Sequence, residues 1–399
     1  VSSTTTIRRP PLLLIVALTA SGTMAMHILV PSLPAMAADL NISAGSAQLT
    51  ITIYLIGLAI GQLIHGPLSD RFGRRPVLIT ALAVYTLASI AALLAQGAVT
   101  LIGARVFQSL GGCAGLVLGR AVIRDTLPPR EAASQLALVN LAMSLSPAGA
   151  PLVGSLVTAA FGWRAIFVLL TGLGAATLVA TCFLLPETAA PRSGGAGGFG
   201  AMLRSYPRLL RSARFRGYAI AGAASTTAFY AFMAASPFIF VDVLHQPTGR
   251  VGVYYLVLML GLSCGSMLAS RLVLRINPDR LLRAAISVCG VGALALFAVT
   301  AAGQLGVASV LACMFVFMLG AGTASPLALT ASISTVPGIV GAASGLYGFT
   351  QMAYGAICTL IVSIWHESAA LPAALVLLGS AVLAQIALLA THTPPRTTP

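Results

Sequence analysis

Apolar residues run through this chain in blocks of about twenty, rather than in the alternation of a half-buried strand or the one-sided spacing of a surface helix. Six blocks lie near residues 12–34, 49–65, 77–95, 101–123, 135–159 and 165–185. Six more lie near 217–241, 252–274, 281–300, 306–329, 341–364 and 369–389. A hydrocarbon core about 30 Å thick is crossed by about 20 helical residues, so each block predicts a membrane-spanning helix. Internal Gly and Pro do not argue against this, because neighbouring helices re-satisfy the backbone in a membrane. A β-barrel is excluded, since its strands alternate with period two. The prediction is an all-α integral membrane protein with 12 transmembrane helices in two six-helix halves. The halves are 1–185 and 217–399, joined by a linker at 186–216 that is Gly-rich at Ser193–Gly198 and then basic. The block after Arg8 and Arg9 is too long for a signal core and reads as an uncleaved first span.

Composition agrees. Of 399 residues 58% are hydrophobic and 8% charged, with mean hydropathy +0.97. A soluble enzyme carries about 25% charged residues and a disordered chain has low hydrophobicity, so both are excluded. The net charge of +14 comes from 22 arginines and no lysine against 8 acids. In a soluble domain that excess would suggest nucleic acid; here the arginines fall between apolar blocks, where they set orientation. Nineteen of the 22 lie on one alternating side, leaving Arg105, Arg164 and Arg250. The bias predicts that both termini are cytoplasmic. The six cysteines sit in apolar blocks without metal-like spacing, so neither a metal site nor a disulfide framework is expected. There is no phosphate-binding loop, no His-Glu-x-x-His and no Gly-x-Ser-x-Gly, so an enzyme, a cofactor and an ATP-driven pump are not expected. Filter sequences of a channel are not evident either.

The two halves carry a weak repeat. Gly66-Pro67-Leu68-Ser69-Asp70-Arg71-Phe72-Gly73-Arg74-Arg75 follows block 2, and Gly265 to Arg271 ends block 8, roughly half the chain later. Such duplication is a signature of secondary transporters with a site between the halves. In the first copy Gly66 suits a close helix approach, and Asp70 is placed to pair with a cation or cap a helix. The run resembles the loop signature of the major facilitator superfamily. Arg105 to Gly112 is similar to that superfamily's fourth-helix motif, and Ser146, Ala150, Pro151, Gly154 and Ser155 to the fifth-helix motif of drug:proton antiporters. Pro31 to Pro34, Gly119 to Asp125 and Pro326 to Gln351 resemble the Bcr/CflA multidrug-efflux subfamily. The resemblance implies a conformational charge cluster of Asp70, Arg74 and Asp125, flanked by Gly66, Arg71 and Gly73, that holds the halves together. It assigns helix bending and close packing to Pro151 and Gly154.

Arg105 lies inside block 4, against the charge bias, and an arginine at membrane depth needs a partner or water. It either faces a cavity, where it influences protonation or substrate, or snorkels to the interface. His27 stands where the subfamily usually carries an Asp, and no Asp or Glu lies well inside any block. An imidazole titrates near 6.5, so His27 is the candidate proton carrier, with Arg105 as its partner in coupling; packing within helix 1 is the other reading. Tyr54, Asn140, Phe229, Tyr230, Tyr347, Gln351 and Tyr354 are candidates for an aromatic substrate pocket, or for packing. The last three recur at i, i+4 and i+7, on one helix face. The expected function is export of drug-like amphipathic molecules by alternating access against protons, with a carrier for a specific metabolite as the alternative. Small-molecule substrate, protons and bilayer are the expected partners, and one chain suffices for a pathway.

Overall fold

The computed structural model describes residues 10–188, 206–335, 339–365 and 370–392. Arg8, Arg9, Arg192, the Ser193–Gly198 run, Arg204, Pro337, Gly338, Glu367 and Arg396 lie outside the described residues. The first half comprises α1 (Leu12–Asp39), α2 (Ala44–Phe72), α3 (Arg74–Leu93), α4 (Ala98–Thr126), α5 (Pro129–Phe161) and α6 (Arg164–Leu184). The second comprises α7 (Ala213–Val243), α8 (Thr248–Leu272), α9 (Pro278–Ala301), α10 (Val307–Ile333), α11 (Val340–Ile364) and α12 (Ala370–Leu389). Most helices outrun their apolar blocks, because the blocks mark hydrocarbon depth while the helices continue into the interface. Among the described residues eleven helices are both long and apolar enough to span. The twelfth, α5, has 33 residues and contains the fifth apolar block, 135–159.

Among the described residues two helices are broken, and they hold corresponding places. α1 runs as a helix over Leu12–His27, a 3-10 turn over Val30–Ser32 and a second helix over Leu33–Asp39. Pro31 and Pro34 supply no backbone N–H to continue the ladder. α7 divides into Ala213–Thr226 and Phe229–Phe238, and closes in a π turn over Ile239–Val243.

Within each half the packing repeats: α1 against α4, α2 against α4, α3 against α4 and α6, then α7 against α10, α8 against α10, α9 against α10 and α12. Close approaches fix the register. A Cβ on Gly111 would lie 2.5 Å from the Ala81 carbonyl oxygen and against Tyr85; one on Gly320 would lie 2.6 Å from the Ala285 carbonyl oxygen and against Cys289. Gly57 likewise meets Val106 and Ser109, and Gly261 meets Phe315 and Met318. With α2 and α8 starting at Ala44 and Thr248, the counterpart of Gly265 is Gly61. The pairing of Gly265 with Gly66 is therefore corrected. Gly66 itself makes no close approach, for a Cβ there would meet nothing within 4 Å. The repeat resides in helix contacts, where a methyl group is felt, and not in the turn.

The halves meet along α2 with α11 and α5 with α8. On the face opposite the chain's first residues, Gly45 abuts the Ser363 carbonyl, and the Ser155 hydroxyl donates to the Gly249 carbonyl at 3.5 Å. Deeper, the Thr52 hydroxyl donates to Thr359 at 2.8 Å, and the Gln62 amide lies against Gly348.

Candidate functional site

The two broken helices face each other. His27 ends the first segment of α1, and its Nδ1–H donates to the Thr23 carbonyl at 2.7 Å. Its buried ring lies 6.3 Å from that of Tyr230, just beyond the break in α7. Phe229 stands 6.3 Å from Tyr230 and 6.5 Å from Phe232, extending an aromatic wall. Paired interruptions in corresponding helices of two repeats are the best structural pointer to a transport site. Here they bring together an imidazole and three aromatic rings.

Arg105 is fully buried inside the first half and does not snorkel. Its guanidinium lies 4.0 Å over the Tyr54 ring. Nη1 donates to Gln108 Oε1 at 2.6 Å and to the Ala25 carbonyl at 3.1 Å. Nε and Nη2 find no hydrogen-bond partner among the described residues. Tyr54 donates to the Gly22 carbonyl at 2.7 Å, so its hydroxyl is committed to α1. The Gln108 amide donates to the Ser89 hydroxyl at 2.8 Å, which donates to the Tyr85 carbonyl at 2.8 Å. Gly22 packs directly on Gly112 of α4, whereas His27 follows five residues later, about 140° around the helix. His27 therefore faces α7 while Arg105 grips α1 from the α4 side, at a carbonyl two residues away.

The other candidates divide. Tyr347 abuts Gly222 of α7, and Gln351 donates to Thr226 of α7 at 3.0 Å. Tyr354 donates to Ser380 of α12 at 2.8 Å. These three share a face, and that face packs against the second half's own helices. Asn140 is exposed on α5. Gly154 sits on the Ile28 carbonyl at the α1 break, and Gly252 of α8 sits on Pro151 and Leu152. The Pro151–Gly154 stretch thus touches both the broken helix and the opposite half.

At the α2–α3 turn Arg74 pairs with Asp70 at 2.7 Å and Asp125 at 3.1 Å, and donates to Ser69. These pairs join α2, α3 and α4 of the first half. Gly73, at φ +95°, is required by the turn. Arg71 stacks 5.1 Å from Phe72. Glu187, which sequence reasoning passed over, accepts from the backbone N–H groups of Arg74 and Arg75 at 2.9 and 3.2 Å and so caps α3 with a negative charge. Gln108, Ser89 and Gln62 were also missed; Gln108 alone carried a signal, standing one helical turn from Arg105.

A sequence model of the Major Facilitator Superfamily matches residues 13–359. The chain belongs to this superfamily. A chloramphenicol resistance protein of Pseudomonas aeruginosa is 31% identical over 366 residues, covering 88% of this chain and 83% of that one. A bicyclomycin resistance protein homolog of Haemophilus influenzae is 27% identical over 343 residues, covering 85% of each. Among solved structures, the nucleoside transporter NupG superposes with a TM-score of 0.75 at 13% identity, covering 96% of this chain and 99% of that one; this likeness concerns the fold alone. In this facilitator the first helices of the two halves, α1 and α7, are the broken ones, and their breaks carry the titratable and aromatic groups.

Proposed function

We propose that this facilitator exports drug-like amphipathic molecules by alternating access, driven by protons, with its termini on the cytoplasmic side of a bacterial inner membrane. The observation that carries the reading is the pairing of His27 with the Tyr230, Phe229 and Phe232 wall across the two helix breaks. Aromatic walls with sparse polar groups suit amphipathic compounds, and the relatives are named for resistance to chloramphenicol and bicyclomycin. Among the described residues the acids lie at helix ends or in turns, which leaves the imidazole as the proton carrier at the breaks. Arg105 is a positioning residue: by holding the Ala25 carbonyl it fixes the last turn before the break, and with it His27. Orientation follows from the arginine bias.

The test is a pH-gradient assay in inverted vesicles with cationic, neutral and anionic amphiphiles. A compound that collapses the gradient only with the intact protein is the expected result. His27→Ala should then abolish uphill export while downhill exchange persists. Full uphill transport by that variant would overturn the role of His27. A wild type that moves none of the panel would favour a specific metabolite.

A further inference from the structure

A second histidine lies at membrane depth, away from the helix breaks. His65 is on α2, seven residues before its end at Phe72, about 10 Å along the axis. It is 8% exposed. That residual surface opens into a cavity of about 560 Å³ on the outside of the first half, between α2, α3 and α4. The walls are Leu68, Phe72, Val84, Phe107 and Leu110. Leu68, Phe72 and Phe107 are exposed side chains on the surface of the bundle, so the cavity opens sideways towards the bilayer. Thr80 also lines it, but its hydroxyl donates to the Pro76 carbonyl at 3.0 Å.

The hydrogen bonding of His65 defines what the cavity lacks. Nδ1 lies 2.8 Å from the Gly61 carbonyl oxygen, an acceptor only, so the proton is on Nδ1. In the neutral ring Nε2 is then an acceptor, on the side of the ring away from that carbonyl. A polar group at this depth is costly unless a partner meets it. Packing does not demand one: four residues after Gly61 comes His65, and four after its counterpart Gly265 comes Ala269, buried in the second half without any polar group.

We propose that this lateral cavity is a binding site for an uncharged lipophilic alcohol or phenol that partitions into the bilayer and donates its O–H to Nε2 of His65. The volume falls in the range of ligand pockets, about 300–1,000 Å³, and a nearly apolar lining with one convergent polar group is their usual composition. A compound loaded from the membrane buries its ring or chain against Phe72, Leu68 and Phe107 and satisfies the one open acceptor. The site is separate from the helix breaks and does not depend on the transport reading.

The experiment is photolabelling of the full-length protein in lipid nanodiscs with a diazirine-bearing alkylphenol, the labelled peptides being identified by mass spectrometry. Labels should fall on residues 65–84 and 107–111. Excess alkylphenol should suppress labelling at least tenfold more effectively than its methyl ether, which has the same shape and no O–H. In His65→Phe that discrimination should disappear. In Ala81→Leu, which fills the cavity floor, labelling of these segments should fall several-fold while labelling elsewhere persists. Equal competition by phenol and ether in the wild type would overturn the proposal, as would labelling spread evenly over the lipid-facing helices. Discrimination that survives His65→Phe would equally overturn it, since the donor would then be read elsewhere.

Discussion

The cores of the two halves use the same helix contacts and different chemistry. Counting six residues back from Gly111 and Gly320 sets Arg105 against Met314, and three back sets Gln108 against Phe317. Counting from Gly57 and Gly261 sets Tyr54 against Leu258, and the glycine contacts themselves set Tyr85 against Cys289. All four second-half residues are buried, and they pack without a charge. The arrangement of α7 to α10 therefore shows what this helix geometry requires, which is small residues at the crossings and apolar volume between them. The guanidinium, its two unpaired nitrogens and the Gln108–Ser89 chain are extra. Buried charge of this kind is expensive and is often replaced by apolar residues without loss of stability. Its presence in only one half indicates a role in function rather than in folding.

The sharpest way to break the comparison is Arg105→Met, which gives the first half the residue of the second. Removing a buried cation relieves its desolvation penalty, while leaving Gln108 and the Ala25 carbonyl without a donor costs about 1–3 kcal/mol. The two effects oppose each other, so the thermal midpoint in detergent should move by only a few degrees. Gradient-driven export should fall to background, because the last turn of the first α1 segment loses its tie to α4. Should the variant fail to fold, the polar cluster is structural and the inference from asymmetry is wrong.

Where the halves agree, damage should agree as well. Gly111→Ala and Gly320→Ala both drive a methyl group into backbone atoms of the neighbouring helix, at Ala81 and Ala285. Overpacking of this sort costs about 1–3 kcal/mol, and the two losses should match within experimental error. Thermal melts of the purified variants would show it. A large loss at one site and none at the other would mean that the contacts are not equivalent and that the register drawn from them fails.

The sequence revealed what depends on the thickness of a membrane and on local spacing. All twelve helices could be placed, because an apolar block of spanning length has few other uses, and the Asp70–Arg74–Asp125 pairs came from the resemblance of the Gly66–Arg75 run to the superfamily's loop signature. Contacts between distant segments were not. Glu187 follows the sixth block as an unremarked acid, and nothing local says that it caps α3. Tyr347, Gln351 and Tyr354 were rightly placed on one face, but helical spacing cannot say what lies opposite that face, which is α7 and α12. Arg105 was recognised as costly, yet its shelter depends on the Tyr54 ring of α2 and the Ala25 carbonyl of α1 being carried to it by two other helices.

The smallest effect sharpens the repeat itself. Gly66 sits in the signature run yet has open space where a side chain would go, whereas Gly61, five residues earlier, has Cys113 against it. Ala at an open helical position gains about 0.5–1 kcal/mol over Gly through lower backbone entropy in the unfolded chain. Gly66→Ala should therefore melt at or slightly above the wild-type temperature, and Gly61→Ala below it. If Gly66→Ala nonetheless lowers the rate of transport, the space beside it must close at some point in the cycle. The second half could not report that requirement, because its counterpart, Ser270, already carries a side chain.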